Sequence, residues 1–334
     1  MVEILEVESF ALFNGLESSI LNLNPIIQKD GYEFVEFSLE DFENEFYGII
    51  NIPYELVDLR RKEKAKEKIP LIFHHLEYFL NPLRELIKLV PPNFDVDFDI
   101  SIFLLKKTIN HTIEHGPSYY LRTTCDLNVI GEYSKNLLKK LRLYQKGTIS
   151  LQAYFTKIKK KNHIVDIRKT GLLPQWGKYI VNKEELQDIT KFVNYDIDSL
   201  PSFLKLALDN FELAHNQLDV RLKFLLFTTT LECLYNIQKT DPIRHVISRH
   251  LALTIMQSAD DFDLIQKEMK SLYDLRSKIV HGGEISKDKK PSDSVIILEE
   301  YTRKALKEII NFYFGNICQS KDDLFKYLNK KGVV

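Results

Sequence analysis

Residues 261–283, with the sequence DFDLIQKEMKSLYDLRSKIVHGG, decide the fold of the second half of the chain. Apolar side chains recur there at steps of four, three and seven residues, at Ile265, Met269, Leu272 and Ile279. This spacing places them on one face of an α-helix. Gly282 and Gly283 follow, and glycine often ends a helix because it adopts left-handed backbone angles without strain. The pattern therefore predicts an amphipathic helix over residues 261–281.

The sequence on either side of this helix has the same character. From Lys183 onward, glycine and proline are scarce and helical periodicity dominates. The predicted helices lie near 184–193, 200–217, 219–238, 242–257, 261–281, 294–318 and 321–330. Long helices joined by short connections are typical of an antiparallel bundle. Residues 184–334 are therefore predicted to form an all-α helical domain.

Residues 1–183 have the pattern of a mixed domain, so the expected fold class is an α+β domain followed by an all-α bundle. Runs that alternate polar and apolar residues or are rich in aromatics predict strands at Tyr32–Phe37, Tyr119–Thr124 and Ile149–Phe155. A charged and then apolar stretch predicts a helix within 55–89. We expect the boundary between the two domains within residues 171–179 or just after them.

Composition indicates a soluble globular protein, because 44% of the 334 residues are apolar and 28% are charged. The formal net charge of -1 gives no overall field that favours nucleic acid or an anionic membrane. The most apolar helix candidate, residues 220–237, is interrupted by charges, and no signal peptide is recognisable. The three cysteines fit no metal spacing. We therefore expect a cytoplasmic protein without a membrane span, a cofactor or a metal.

Charge is distributed unevenly within the first half. Residues 135–169 contain eleven lysines and arginines against one acid, interleaved with aromatic residues. Such a surface suits a phosphate backbone and unstacked bases. The candidate nucleic-acid-binding residues are Lys157, Lys159, Lys160 and Lys161. The alternative is a solvated surface hairpin that pairs with acids elsewhere, for example with the acidic run 30–46.

The segment His111-Thr-Ile-Glu114-His115 fits the H-x-x-E-H pattern of inverted zinc peptidases. On a helix, two histidines four residues apart share one face, so both imidazoles can reach one Zn²⁺ while the glutamate acts as general base. No following segment supplies a recognisable third ligand. The alternative is a surface pair that binds no metal.

A second candidate site consists of Arg276 and His281. Arg276 falls where the apolar face of the predicted helix continues, and a buried guanidinium is costly unless it is paired. The partner is either Glu232, in a structural ion pair, or an anion bound at a cleft or subunit interface. His281 lies five residues on, about 140° around an ideal helix, but at the helix end the two side chains can converge on one phosphate. Spacing alone decides little, because Arg244 and His250 fit the same rule.

The string LYDLRSKIVHG, residues 272–282, resembles the signature helix of the HEPN superfamily, and of its Apea-like branch in particular. Upstream, LECL at 231–234 and ISRHL at 247–251 are similar to the first-helix and middle-helix segments of that family. The resemblance covers residues 184–320.

This resemblance implies metal-independent RNA cleavage by a homodimer whose composite site takes Arg276 and His281 from both subunits. His281 is expected to act as general acid or base and Arg276 to orient the scissile phosphate, leaving 2′,3′-cyclic phosphate and 5′-OH ends. Glu232 and Ser277 are expected to support the site, and Lys278 to contact RNA. The resemblance further implies a role in antiviral defence or as a toxin-like inhibitor, with the N-terminal domain sensing a phage or host trigger. The alternative is a catalytically silent HEPN protein whose helical bundle only binds a partner or nucleic acid.

Overall fold

The structure is a computed structural model, and it describes residues 2–38, 41–42, 45, 101–114, 119–159, 163–169, 178–236, 242–284 and 291–332. The chain divides into two compact units. The sheet unit comprises Met1–Leu138 and Gly147–Thr190, and the helical unit comprises Lys139–Lys146 and Lys191–Val334. The α+β region followed by a helical bundle agrees with the predicted fold class. The division differs from the predicted boundary at 183/184 in two ways: the sheet unit continues to Thr190, and Lys139–Lys146 belongs to the helical unit.

The sheet unit contains a five-stranded antiparallel sheet among the described residues. Its strands are β1 (Val2–Asn14), β2 (Tyr32–Phe37), β3 (Ile102–Glu114), β4 (Ser150–Ile158) and β5 (His163–Lys169). Their order across the sheet is β2-β3-β1-β4-β5. The predicted strand at Tyr32–Phe37 is confirmed, and the one at Ile149–Phe155 corresponds to most of β4. Between β1 and β2 lies the one-turn helix α1 (Asn24–Ile27) with 3-10 turns on both sides.

The strand predicted at Tyr119–Thr124 is wrong, because these residues begin the long helix α2 (Tyr119–Tyr144). Aromatic and β-branched residues favour strands only weakly, and packing overrides that preference. Further along α2, buried apolar residues recur at helical spacing, at Leu127, Ile130, Leu137, Leu138 and Leu141. The helix predicted within 55–89 lies outside the described residues.

Aromatic contacts place α2 on one face of the sheet. The ring of Tyr133 in α2 stacks on Tyr32 in β2, with centroids 3.6 Å apart. At Gly131, a Cβ atom would come within 2.9 Å of the Tyr154 ring in β4, so a glycine allows the close approach of helix and strand. On the opposite face, Phe10 and Phe155 stack at 5.2 Å. The sheet therefore has apolar packing on both faces.

The helices predicted in the second half are confirmed, with ends that differ by up to four residues. They are α3 (Leu186–Val193), α4 (Ser202–His215), α5 (Val220–Tyr235), α6 (Ile243–Ile255), α7 (Ala259–His281), α8 (Pro291–Phe314) and α9 (Lys321–Lys331). Within the helical unit α4 packs on α5, α7 packs on α6, and α8 packs on both α5 and α6. Large aromatic side chains fill the core between α4 and α5, at Phe211, Phe224 and Phe227. None of the helices in the described ranges combines the length and apolar character needed to cross a membrane.

The segment Lys139–Lys146, which includes the last turns of α2, is held in the helical unit by charged contacts. Arg142 is 2% exposed, and its guanidinium lies 2.6 Å from the Glu212 carboxylate in α4. Arg303 in α8 donates from Nε to the Arg142 carbonyl at 3.1 Å, and Lys307 donates to the Tyr144 carbonyl at 3.2 Å. Cations at a helix C-terminus satisfy carbonyls that have no partner within the helix. The end of α2 is thus part of the packing of the bundle.

His215 is buried beside this charged group. Its ring packs against Phe211 and Phe227, with centroids 4.7 and 5.6 Å away. Burial, and then the positive charges of Arg142, Lys223 and Arg303, hold the pKa of His215 well below its usual range. The Glu299 carboxylate lies 4.0 Å from Nε2, but it also pairs with Arg303. His215 is therefore neutral in the folded protein at neutral pH.

We predict that acid destabilises the protein through His215. Because the pKa is lower in the folded than in the unfolded chain, the unfolded chain binds the proton first as pH falls below about 6.5. The free energy of unfolding should then fall by up to about 1.4 kcal/mol per pH unit from this residue. Urea unfolding followed by circular dichroism between pH 8 and 5 measures the slope. In His215→Gln, which keeps a polar side chain, the slope should be smaller, and equal slopes would contradict a neutral buried histidine.

We also predict that Arg142→Ala destabilises the protein by about 3–5 kcal/mol, because it leaves the buried Glu212 carboxylate without its ion pair. Lys139→Ala is the matched control on the same helix. Its partner Asp209 is 60% exposed, so the loss should stay below about 1 kcal/mol. Urea unfolding measures the loss of unfolding free energy in each variant. Similar losses in the two variants would mean that Arg142 does not anchor the segment.

Candidate functional site at the end of helix α7

Helix α7 ends at the candidate histidine, His281, and Gly282 forms its C-cap. Gly282 has a φ of 70°, in the left-handed region, and its N–H bonds to the Lys278 carbonyl. The N–H of Gly283 bonds to the same carbonyl at 2.9 Å. This glycine termination confirms the stop predicted from the sequence. It leaves His281 on the last turn, where its side chain is exposed.

The buried face of α7 follows the predicted one as far as Leu272 and then differs, because Arg276 and Ile279 are only half-buried. Buried side chains on it are Ile265, Met269, Leu272, Tyr273 and Leu275. After Leu272, the fully apolar contact continues through Leu275, which is 3% exposed, whereas the Arg276 side chain is 28% exposed. A helix turn of 3.6 residues allows either position to follow Leu272. Arg276 therefore lies at the edge of the packed face, in contact with both protein and solvent.

Arg276 forms the ion pair with Glu232 that the sequence left as one of two alternatives. Its Nη2 atom lies 3.3 Å from Oε1 of Glu232 in α5. The Tyr273 hydroxyl donates a hydrogen bond of 2.9 Å to the same oxygen. The guanidinium carbon of Arg276 also lies 5.7 Å from the centroid of the Tyr273 ring. One carboxylate oxygen thus joins two residues of α7 to helix α5.

Tyr273 remains a neutral donor at physiological pH. Burial, and then the negative charge and hydrogen bond of Glu232, raise the pKa of Tyr273 to about 12. Tyr273 is not among the site residues predicted from the sequence. It stands three residues before Arg276, and residues at that spacing lie on the same side of a helix. That spacing was the signal that could have identified it.

The remaining predicted residues at this helix end are exposed and are not brought together. Ser277 and Lys278 point to solvent. Within the described part of the chain, no hydrogen bond or ion pair joins His281 to Arg276 or to Glu232. A single copy of the chain therefore presents an arginine held by a carboxylate and a separate exposed histidine.

Arg244 and His250, which have similar spacing, occupy different surroundings. Arg244 makes two contacts of 2.7 Å with Asp274 of α7, a surface pair between neighbouring helices. His250 is 5% exposed and packs against Phe325, with ring centroids 4.5 Å apart. Burial lowers the pKa of His250. A phosphate cannot reach a histidine in this position. The structure therefore distinguishes Arg244 and His250 from Arg276 and His281, which their similar spacing in the sequence did not.

The proposed basic surface on the first half needs correction. Residues 135–144 lie on α2, and only 150–158 and 163–169 lie on the paired strands β4 and β5. Lys157 is 4% exposed and pairs with Glu45, an acid of the run 30–46. A buried, neutralised lysine does not contact nucleic acid, so Lys157 is removed from the candidate residues. Lys159 is exposed and lies 2.8 Å from Glu6, while Lys160 and Lys161 lie outside the described residues.

The zinc hypothesis requires His111 to lie on a helix, and the structure places it on a strand. His111 lies in strand β3, and Glu114 is the last residue of that strand. His115 lies outside the described residues. The Nε2 atom of His111 is 2.5 Å from Oδ2 of Asp126 in α2, so a carboxylate occupies one ring nitrogen. Among the residues that the structure describes, no group of three or more histidine, cysteine or acidic side chains could hold a metal ion.

Comparison with known proteins adds no relative. Neither the protein-family models, nor the curated proteins, nor the solved structures contain a match to this chain.

We predict that Gly282→Ala destabilises the end of α7 by about 1–2 kcal/mol, because a residue with a Cβ atom is strained at this φ. Gly283→Ala is the control. A Cβ there meets its nearest atoms at 3.5 Å, an ordinary contact, so the loss should stay within about 0.5 kcal/mol. Urea unfolding measures both values. Equal losses would show that the left-handed angle does not determine where the helix ends.

Proposed function

We propose that this protein is a metal-independent endoribonuclease that acts as a homodimer, with Arg276 and His281 of each copy in the site. One observation carries the proposal. Arg276 is a guanidinium held at a half-buried position 3.3 Å from Glu232, on the helix whose exposed last residue is His281. The likeness of residues 272–282 to the HEPN signature helix supplies the reaction class.

The chemistry of the two side chains suits this reaction. An imidazole can serve as general base or general acid, so His281 can remove the proton from a ribose 2′-OH or give one to the leaving 5′ oxygen. The 2′ oxygen then bonds to phosphorus as the bond to the 5′ oxygen breaks, which yields a 2′,3′-cyclic phosphate and a 5′-OH. Arg276 stabilises the charge that develops on the phosphate. Ser277 and Lys278 are exposed on the same helix; Ser277 is proposed to support the site and Lys278 to contact the RNA.

The proposed dimer is supported by the lack of a direct contact between Arg276 and His281, both of which the structure describes, in one copy. A composite site brings an arginine and a histidine from each subunit to one phosphate. Two guanidinium groups that meet across an interface repel each other unless an anion neutralises them, and RNA is such an anion. We further propose a cytoplasmic role in antiviral defence or growth inhibition, in which the sheet unit senses a phage or host trigger.

We predict that the purified full-length protein cleaves RNA in excess EDTA, and that Arg276→Ala and His281→Ala each lower the rate about 100-fold or more. The controls are Arg244→Ala and His245→Ala, which change an exposed arginine and an exposed histidine of α6. They should cleave at the wild-type rate. End-group analysis of the products should find cyclic phosphate.

Three results would contradict the proposal in different ways. Cleavage abolished by EDTA means that the reaction needs a metal. Full activity in a protein that light scattering shows to be monomeric rules out the composite site. RNA binding without cleavage favours the catalytically silent alternative.

A further inference from the structure

The carboxylate of Glu232 is shared between two residues of α7. Oε1 accepts the Tyr273 hydroxyl at 2.9 Å and faces Nη2 of Arg276 at 3.3 Å. Tyr273 itself is 9% exposed, so its ring is fixed by the packing of the helical unit. A buried tyrosine whose hydroxyl is a donor holds the carboxylate in one place.

The position of Glu232 controls how Arg276 meets a ligand. A guanidinium is planar and carries five N–H donors in a rigid fork, so fixing one edge fixes the direction of the others. Glu232 occupies the edge at Nη2, and the Tyr273 ring lies 5.7 Å from the guanidinium carbon. The Arg276 side chain is 28% exposed, so a ligand in solvent can reach part of it. The same carboxylate also competes with any phosphate for the arginine.

We propose that Tyr273 is a positioning residue, which fixes Glu232 so that this carboxylate both directs Arg276 and competes with RNA phosphate for it. The inference rests on the proposed function, because it assigns the partners of the same arginine. It predicts two different kinetic effects, since catalysis depends on interactions that strengthen in the transition state, whereas ground-state binding depends on net charge.

Removal of the Glu232 charge and removal of the Tyr273 hydroxyl should therefore act differently. In Glu232→Gln no carboxylate competes with RNA phosphate for Arg276, so KM should fall. The guanidinium also loses the group that orients it, so kcat should fall as well. Tyr273→Phe leaves the charge in place but frees the carboxylate. In that variant kcat should fall about tenfold, which corresponds to one lost hydrogen bond to a charged group, while KM stays within about twofold.

The experiment uses the full chain and two readouts, measured in EDTA. The first is kcat and KM for cleavage of an RNA oligonucleotide. The second is binding of the same oligonucleotide with 2′-O-methyl groups, which cannot be cleaved by attack of the 2′ oxygen. Tyr301→Phe is the matched control, because the Tyr301 hydroxyl in α8 also donates to a glutamate of α7, Glu268. It should leave kcat and KM unchanged.

Each outcome bears on the inference. If the wild type cleaves RNA and Tyr273→Phe has the kcat of Tyr301→Phe, Tyr273 does not position the site, although the proposed function stands. If the wild type does not cleave, the proposed function fails and binding alone tests the competition. Glu232→Gln should then still bind the methylated oligonucleotide about fivefold more tightly than the wild type does. The same substitution should not tighten binding when Arg276 is already replaced by alanine. Unchanged binding would overturn the inference. Melting temperatures show whether each variant is folded.

Discussion

The helical unit depends on the burial of one charge, that of Arg142. Moving a guanidinium out of water is costly, and removal of one partner of such a pair leaves the other unpaired. Glu212 supplies the opposing charge at 2.6 Å, and Arg303 caps the helix that carries Arg142 while it pairs with two acids of its own helix. These contacts are satisfied only when the last turns of α2 lie within the bundle. The packing of α4 and α8 thus requires a segment that precedes both in sequence.

The cost of burying a charge also distinguishes Arg142 from Arg276. The Arg142 side chain is fully enclosed and its charge is matched by a buried carboxylate, so no ligand can reach it. Arg276 is paired as well, but through one carboxylate oxygen that also accepts the Tyr273 hydroxyl, and its side chain is partly exposed. The first arginine holds elements together. The second is restrained without being enclosed, which is the condition that an anion-binding arginine needs.

The local sequence pattern predicted much of the fold. The features that it did not predict depend on contacts between residues that are distant in the sequence. The helices of the second half follow from apolar periodicity and from signals such as Gly282, which are properties of neighbouring residues. The start of α2 at Tyr119–Thr124 was misread because aromatic residues suit strands as well as buried helices. Lys157 was misassigned because charge in a sequence does not reveal burial. At the candidate site, Glu232 was one of two expected partners for Arg276, and Tyr273 was missed because its role appears only when α5 lies alongside.

The contribution of Lys139–Lys146 to the helical unit has a consequence for evolution. Many domains pass between genes as one uninterrupted stretch of coding sequence, since their cores need nothing from outside that stretch. This bundle takes part of its core from a segment separated from the rest by β4 and β5. A recombination event near residue 184 would leave that segment behind and expose the Glu212 carboxylate. Successful exchange of this unit therefore requires two breakpoints, or a new partner that ends in a helix of the same kind.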